Sequence, residues 1–482
     1  MTKEEKQGFV THITPKDEDF SQWYTDVILK ADLVDYSDVK GCMVIKPYGY
    51  AIWENIQKEM DRRFKETGHK NAYFPLFIPE SLLAKEVEHV EGFAPEVAWV
   101  THGGNERLQE RLVVRPTSET IICSMYAKWI QSHRDLPVLI NQWCNVVRWE
   151  KSTRPFLRTS EFLWQEGHTA HVDYEDAQKE TIKMLNVYEE FARNVLAIPV
   201  VTGQKSEKEK FAGAQSTYTM EAMMQDGKAL QMGTSHNLGE HFARVFDIQY
   251  LDKDGKLKYV NQTSWGTSTR MIGGLIMVHG DERGLVLPPK VAPIQVVILP
   301  IAMHKEGVLN KAEEIYQSLV QAGLRVELDD RQTQSAGWKF NEWELKGVPV
   351  RLEIGPRDIA NNQVFVCRRD TLEKTALPME GLAQSLNALL DDIHATILQK
   401  AADMREARTY MATDFEEFTE GIVEKKGFVK AMWCGERACE DAIKEKTGAT
   451  TRCMPFEQES LGDVCVHCQK PARAMTYFAR AY

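Results

Sequence analysis

Apolar residues four apart set the first clear element. Ile52, Ile56, Met60 and Phe64 fall on one side of a helix over Ala51–Lys65, with Gly68 as its stop. Upstream, FSQWYTDVILKADL reads as a short amphipathic helix. Downstream, YFPLFIP (Tyr73–Pro79) reads as a buried strand, and Pro75, which cannot donate to a ladder, puts it at an edge or a junction. This helix and strand suit a dimer-forming unit or a plain core element equally well. Leu112–Val114 leads into RPTSET and a helix over Thr120–Gln131, so Thr117, Ser118 and Glu119 stand at a helix start, where Ser and Thr are usually caps. After Pro137 an alternating apolar strand runs into VRWEKSTRPFLRTSEFLWQEGHTAH (Val147–His171). Both halves of that stretch alternate, which predicts a long antiparallel hairpin. Arg148 and Glu150 share one strand face, as do Trp164, Glu166 and His168. Such a face suits a pocket floor for an anion, a planar ring and a small zwitterion; the plainer alternative is an edge hairpin whose charges meet water.

Asp173 to about Ala197 reads as helix, Lys205–Gly213 as a charged loop ending in an aromatic, and Leu230–Leu238 as a short run. Asn261–Gly280 reads as strand end, turn and helix, with Arg270 near the helix start. Pro288, Pro289 and Pro293 mark a boundary. From Val291 strands and helices alternate, closing with a helix over Leu382–Lys400, which is the pattern of a compact α/β unit. The division expected is residues 1–287, 288–400 and 401–482.

Composition narrows this little. The 482 residues are 43% hydrophobic and 27% charged, as in a soluble globular protein. No apolar run approaches the roughly 20 residues of a membrane span, and MTKEEKQGFV lacks a signal-like apolar stretch. A cytoplasmic protein without a membrane partner is expected. The net charge of −11 argues against non-specific coating of nucleic acid but leaves room for a structured RNA held at local sites. Of nine cysteines, five lie between Cys434 and Cys468. In a cytosolic chain that clustering points to metal. Cys434, Cys439, Cys465 and Cys468 form two close pairs that match a structural zinc site, with Cys453 and His467 as rival ligands.

In order, the helix and strand ending at Pro75, VVRWE through QEGH, and WGTSTR through HGDERG, with RPTSE and GTSH between, resemble the three motifs of class II aminoacyl-tRNA synthetases, and within that class the prolyl-tRNA synthetases. The resemblance spans nearly the whole chain, and the cysteine tail resembles the zinc-containing extension of the archaeal- and eukaryotic-type prolyl enzymes. It implies an α+β catalytic domain (an antiparallel sheet flanked by helices), an α/β anticodon-binding domain and a small zinc-binding α+β domain. It implies a homodimeric proline–tRNA ligase using ATP with Mg²⁺, proline and tRNA(Pro). Arg148 and Arg270 would be catalytic: Arg148 on the α-phosphate and proline carboxylate, Arg270 on the far phosphate of a bent ATP. Arginine suits both because its fork meets two phosphate oxygens. Glu150, Arg158 and Thr159 would place adenine and phosphates, and Gln231 and Thr234 the sugar. Ser268 stands where the family usually has Thr. Glu119, with Thr117, would hold the proline ammonium. Trp164 and Phe211 would clasp the ring, and Glu166, His168 and His236 would form the polar rim; taken singly, each histidine also fits a structural role. Glu344, Arg351 and Arg357 would read the anticodon, the plainer alternative being surface salt bridges. Tyr482 would reach back towards the active site, or fray. The interval Val172–Thr267 is too short for an inserted editing domain, and one methylene is worth only ~1–3 kcal/mol in an apolar pocket, so alanine and cysteine should also be activated. A threonyl enzyme, or a non-catalytic paralogue, are the rivals.

Overall fold

The computed structural model describes residues 13–85 and 97–482; the N-terminal segment MTKEEKQGFV lies outside them. Asp19 caps α1 (Phe20–Lys30) by accepting the N–H groups of Ser21 and Gln22. α2 runs Pro47–Glu66, starting earlier than Ala51 because Pro47 occupies the first turn, where a missing N–H costs nothing. Ile52, Ile56, Met60 and Phe64 are all fully buried, as their spacing requires. They join α1 and α4 (Tyr174–Asn194) on the back of a large sheet.

That sheet is built from β1 (Val138–Val147), β2 (Glu161–His171), β3 (Val200–Gln204), β4 (Ser216–Met223), β5 (Ala229–Gly239) and β6 (Asn261–Ser268). The spatial order is β3-β4-β5-β6-β2-β1, all antiparallel. Side-chain alternation divides its faces. Trp265 of β6 lies opposite Gly167 of β2, and a Cβ on Gly167 would stand 2.1 Å from the indole. Gly167 therefore lets Trp265 into the rear core, where it meets Phe64 at 5.0 Å, while Glu166 and His168 face the front.

Two expectations need correction here. β1 ends at Val147, so Arg148 and Glu150 stand in the 148–160 connection and not on a strand. The connection leaves the ladder because Phe156 and Leu157 bury into the core, and Tyr24 Oη donates to the Pro155 carbonyl at 2.7 Å. The predicted strand at Tyr73–Pro79 is only Phe77–Pro79; Tyr73 is exposed and Pro75 precedes the strand, which is the edge of a small three-stranded sheet.

α3 (Glu119–Trp129) and α5 (Arg270–His279) bring two site segments to the sheet. Beyond them β7 (Val296–Pro300), β8 (Val326–Leu328), β9 (Val350–Ile354), β10 (Gln363–Arg368) and β11 (Lys374–Pro378) form a second sheet, ordered β8-β7-β9-β10-β11, with β7 parallel to β8 and β9. α6 (Val308–Gln321), α7 (Ala336–Leu345) and α8 (Leu382–Ala407) accompany it. β11 went unread in the sequence because its residues are mostly exposed and do not alternate. α8 does not close at Lys400; Ile393, Ile397 and Ala401 carry its buried stripe past that point, and the helix runs on to Ala407.

The chain then forms β12 (Thr409–Ala412), β13 (Phe428–Trp433), α9 (Arg437–Thr447), β14 (Thr450–Pro455) and β15 (Ala474–Ala479). These strands extend the central sheet as β12-β13-β15-β14, joined through β14 to β3. Gly203 permits that junction, since a Cβ there would lie 2.3 Å from the Met454 carbonyl oxygen. No helix among the described residues is long and apolar enough to cross a membrane.

Candidate active site

The front of β2, β5 and β6 floors a cavity of about 240 Å³. Thr117, Glu119, Arg148, Trp164, Glu166, His168, Phe211, Gln231, Thr234, His236, Ser268 and Arg270 all line it. Residues from 117 to 270 thus converge on one site, and the edge-hairpin alternative fails. Glu150, Arg158 and Thr159 are not in the lining. They stand in the connection beside Arg148, where Arg158 Nη1 lies 3.7 Å from Glu150 and the Thr159 hydroxyl donates to the Glu161 carbonyl.

Register explains the floor. His168, Ser264 and His236 are cross-strand partners on β2, β6 and β5, and Thr217 of β4 extends the row. Glu166 is buried, with one oxygen on His168 Nε2 at 2.8 Å and the other accepting from Ser118 and from Gln142 Nε2 at 2.9 Å. Burial opposes its charge, but the His168 partner and these donors hold the carboxyl below its ordinary range. Burial likewise opposes a charge on His168, and the Glu166 carboxylate outweighs it and raises the imidazole. With His168 protonated the two form a buried ion pair. His236 goes the other way: burial, then the positive charges of Lys205 and His168, push it down to about 3. It is neutral, between the Thr217 hydroxyl at Nδ1 (2.9 Å) and the Thr234 hydroxyl at Nε2 (3.0 Å).

The helix start at Ser118 is not capped by its side chain. Its hydroxyl serves Glu166, and the Thr117 hydroxyl donates to Glu119. These hydroxyls work for the pocket and not for the helix. On the other side, Arg148 donates through Nε to the Pro116 carbonyl at 3.0 Å and lies 5.4 Å over Trp164. Arg270 donates to the carbonyls of Leu157 (3.0 Å) and Gln231 (3.4 Å). Burial and then the positive charges of Arg158 and Arg148 lower its pKa to about 10. Three guanidinium groups this close suit a polyanion such as a phosphate chain.

The sequence reading missed Lys205, Glu209, Thr217 and Phe162, which also line the cavity. Lys205 and Glu209 belong to a charged run that looks solvated in one dimension, yet Lys205 is 6% exposed.

In the second sheet Arg351 pairs with Glu344 at 2.7 Å and stacks 4.1 Å over Phe340, while Glu344 also holds Arg283 at 2.8 Å. Arg357 is apart from this pair, exposed on the short helix Pro356–Ala360. In the tail the ligand atoms of Cys434, Cys439, Cys465 and Cys468 all lie within 4.8 Å of one another. Cys439–Cys465 and Cys434–Cys468 are 3.5 and 3.6 Å apart. Sulfurs at zinc-bonding distance on a tetrahedron are about 3.8 Å apart, so the four thiols fit a zinc ion. Cys453 is buried on β14 outside that group, and His467 Nδ1 lies 3.4 Å from Cys439 while its Nε2 faces Lys446. Tyr482 does not fray. Its hydroxyl donates to Asp226 at 2.5 Å, and Arg154 of the 148–160 connection stands 5.4 Å from its ring.

Comparison with known proteins decides what holds this geometry. Residues 99–279 match the tRNA synthetase class II core domain (G, H, P, S and T), 295–389 an anticodon binding domain, and 415–482 the prolyl-tRNA synthetase C-terminal region. A proline–tRNA ligase of Alkaliphilus oremlandii is 68% identical over 482 residues, covering all of both chains. The chain belongs to the proline–tRNA ligase family. Similar ligases are those of Acetoanaerobium sticklandii, 65% identical over 99% of each chain, and the proline–tRNA ligase 2 of Clostridioides difficile, 64% identical over the full length of both. Membership of the ligase family places the cavity in the class II core match and the Glu344–Arg351 pair in the anticodon-domain match. The cysteine cluster falls in the match to the C-terminal region.

Proposed function

We propose that the chain is an ATP-dependent proline–tRNA ligase whose cavity activates proline and passes it to tRNA(Pro). One observation carries this reading: a single cavity unites a carboxylate (Glu119), an aromatic pair (Trp164, Phe211) and the arginines Arg148 and Arg270. A secondary ammonium, a small ring and a carboxylate facing a nucleotide phosphate need that set. A proline carboxylate oxygen attacks the α-phosphorus of ATP, and the bond to pyrophosphate breaks. The ribose hydroxyl at the tRNA 3′ end then attacks the adenylate carbonyl, and AMP leaves. Neither step asks for a covalent enzyme intermediate, so positioning and charge are the protein's contribution.

In this reading Arg148 bridges the proline carboxylate and α-phosphate, and Arg270 holds the far end of the phosphate chain. Gln231, Thr234 and Ser268 sit where a sugar and phosphates would rest, with Glu150, Arg158 and Thr159 closing over the adenine side. Neutral His236 and the Glu166–His168 pair orient the ring without adding net charge. Mg²⁺ accompanies ATP. Zinc on the four cysteines is structural, because a closed thiolate shell has no open position. Glu344, Arg351 and Arg357 meet the anticodon, the first two after exchanging their mutual ion pair for base edges.

Further parts of the reading are the division into 1–287, 288–400 and 401–482, cytoplasmic location and a homodimer. Exposed Tyr73, Phe77 and Trp129 beside the edge strand support the dimer, and sedimentation of a monomer at micromolar concentration would remove it. The span 172–267 is filled by α4, the core strands, the short helix His241–Phe246 and a small hairpin, which supports the lack of an inserted editing domain; activation of alanine and cysteine is part of the same reading. The test is amino-acid-dependent exchange of labelled pyrophosphate into ATP across all twenty amino acids. Proline should be strongest, with weak alanine and cysteine signals. A threonine maximum would overturn the specificity, and no exchange in folded, zinc-loaded protein would overturn the activity. Hydrolysis of alanyl-tRNA by the purified protein would refute the lack of editing.

A further inference from the structure

The 205–213 loop supplies Lys205, Glu209 and Phe211 to the cavity, and it follows β3, the strand on which the C-terminal segment docks. Three buried contacts tie the loop and its neighbour β4 to that segment. Arg452 of β14 donates through Nε and Nη2 to Glu221 Oε2 at 3.0 and 2.9 Å. Their side chains are 8% and 0% exposed. Lys205 is buried within electrostatic reach of the same carboxylate. Ser206 donates to Glu440 Oε1 at 3.1 Å, and Thr451 donates to that oxygen while its hydroxyl lies 3.1 Å from Ser206 Oγ. Glu440 directly follows Cys439, one of the four clustered thiols. Inside the loop, Ser206 Oγ accepts the Glu209 N–H, and Thr217 Oγ1 accepts the Phe211 N–H while contacting His236 Nδ1. A continuous run of buried polar contacts therefore links the cysteine cluster to the pocket wall.

We propose that Glu440, acting through Ser206, and Arg452, acting through Glu221, are positioning residues for the amino-acid pocket, so that metal loading of the C-terminal segment sets the pose of the 205–213 loop. This rests on the proline-activating reading above. Neither residue lines the cavity. Their effect is on how Lys205, Glu209 and Phe211 present themselves to the amino acid; Glu440 acts on the loop alone, whereas Glu221, the partner of Arg452, also lies within electrostatic reach of Arg270 on the nucleotide side. A coupling of this kind needs a rigid element with two ends, and α9 with β14 supplies it.

The test uses the full-length, zinc-loaded protein and Glu440→Ala, which alters nothing in the loop itself, together with Arg452→Met and the conservative Arg452→Lys. Zinc content is measured for each. Proline-dependent exchange should show the KM for proline raised about tenfold in Glu440→Ala and Arg452→Met, the worth of one of the two hydrogen bonds to a carboxylate that each variant removes, the remainder falling on stability. The KM for ATP should not move in Glu440→Ala, and Arg452→Lys should recover part of the loss seen in Arg452→Met. Hydrogen–deuterium exchange should show faster labelling of 205–213 in Glu440→Ala and in wild-type protein stripped by a chelator, with α4 protected as before. Wild-type labelling of the loop in both samples overturns the proposal, as does an equal rise in the KM values for proline and ATP in Glu440→Ala. If wild-type protein shows no exchange with proline, the activity reading fails, and the labelling result still decides the coupling. Should Arg452→Met fail to fold, Glu440→Ala and the chelated wild type carry the decision.

Discussion

Replacing Glu166 by Gln isolates the buried pair at the centre of the pocket floor. The carboxylate is 2% exposed and accepts from Ser118, Gln142 and His168. Gln keeps the shape and one acceptor, so the Gln142 or Ser118 contact survives, but the charge facing His168 goes. Breaking a buried pair by removing one partner costs about 3–5 kcal/mol; with the shape kept and His168 free to become neutral, the lower end, about 3 kcal/mol, is expected. The pH dependence carries the sign. Glu166 is depressed in the folded state, so its contribution is present above the unfolded carboxyl value of roughly 4.3 and is lost as pH falls through the folded value. His168 is raised, so its contribution is full below roughly 6.5 and is lost as pH rises through its folded value. The stability difference between wild type and Glu166→Gln should therefore be greatest between roughly pH 4.3 and 6.5 and shrink on both sides. Denaturant titrations at a series of pH values measure it, and histidine NMR follows His168 directly. Its pKa should fall from above to below the ordinary imidazole value in the variant, because burial, the largest influence, is then opposed only by the weaker pull of Glu119. A difference that is flat from pH 5 to 9, or a His168 that still titrates high in the variant, refutes the ion-pair argument.

Arg270→Lys keeps a charge but loses the fork that the Leu157 and Gln231 carbonyls hold, and pyrophosphate exchange should fall by roughly a hundredfold or more. Cys465→Ser, or a chelator, should release one zinc per chain and loosen residues 415–482 to proteolysis, with zinc measured by atomic absorption. Removing Tyr482 deletes its bond to Asp226 and should destabilise the fold by about 1–2 kcal/mol in chemical denaturation. Phe64→Ala empties a site packed against Trp265, Tyr188 and Trp143 and should cost about 3–5 kcal/mol, read from the same unfolding curves.

Local pattern carried much of this protein. Spacing by four placed the buried stripe of α2, and alternation put Trp164, Glu166 and His168 on one face of β2. The run of motifs named the pocket's principal residues, and paired cysteines pointed to a clustered tail. The stripe, the strand face and the cysteine pairs depend on neighbours within a few residues, which periodicity and spacing encode, while the pocket residues came from the resemblance to a family. Tertiary structure decided the rest. Only packing against Tyr24 and the core pulls residues 148–160 off the strand, so that Arg148 leaves β1 while remaining in the pocket. Lys205 and Glu209 look like solvated charges until Glu221, Arg452 and the docked C-terminal strands enclose them. Tyr482 has a defined place only because Asp226, 256 residues earlier, turns at the end of the β4–β5 hairpin. A face can be read from the sequence; what lies against that face depends on chain closure over hundreds of residues, which no local pattern encodes.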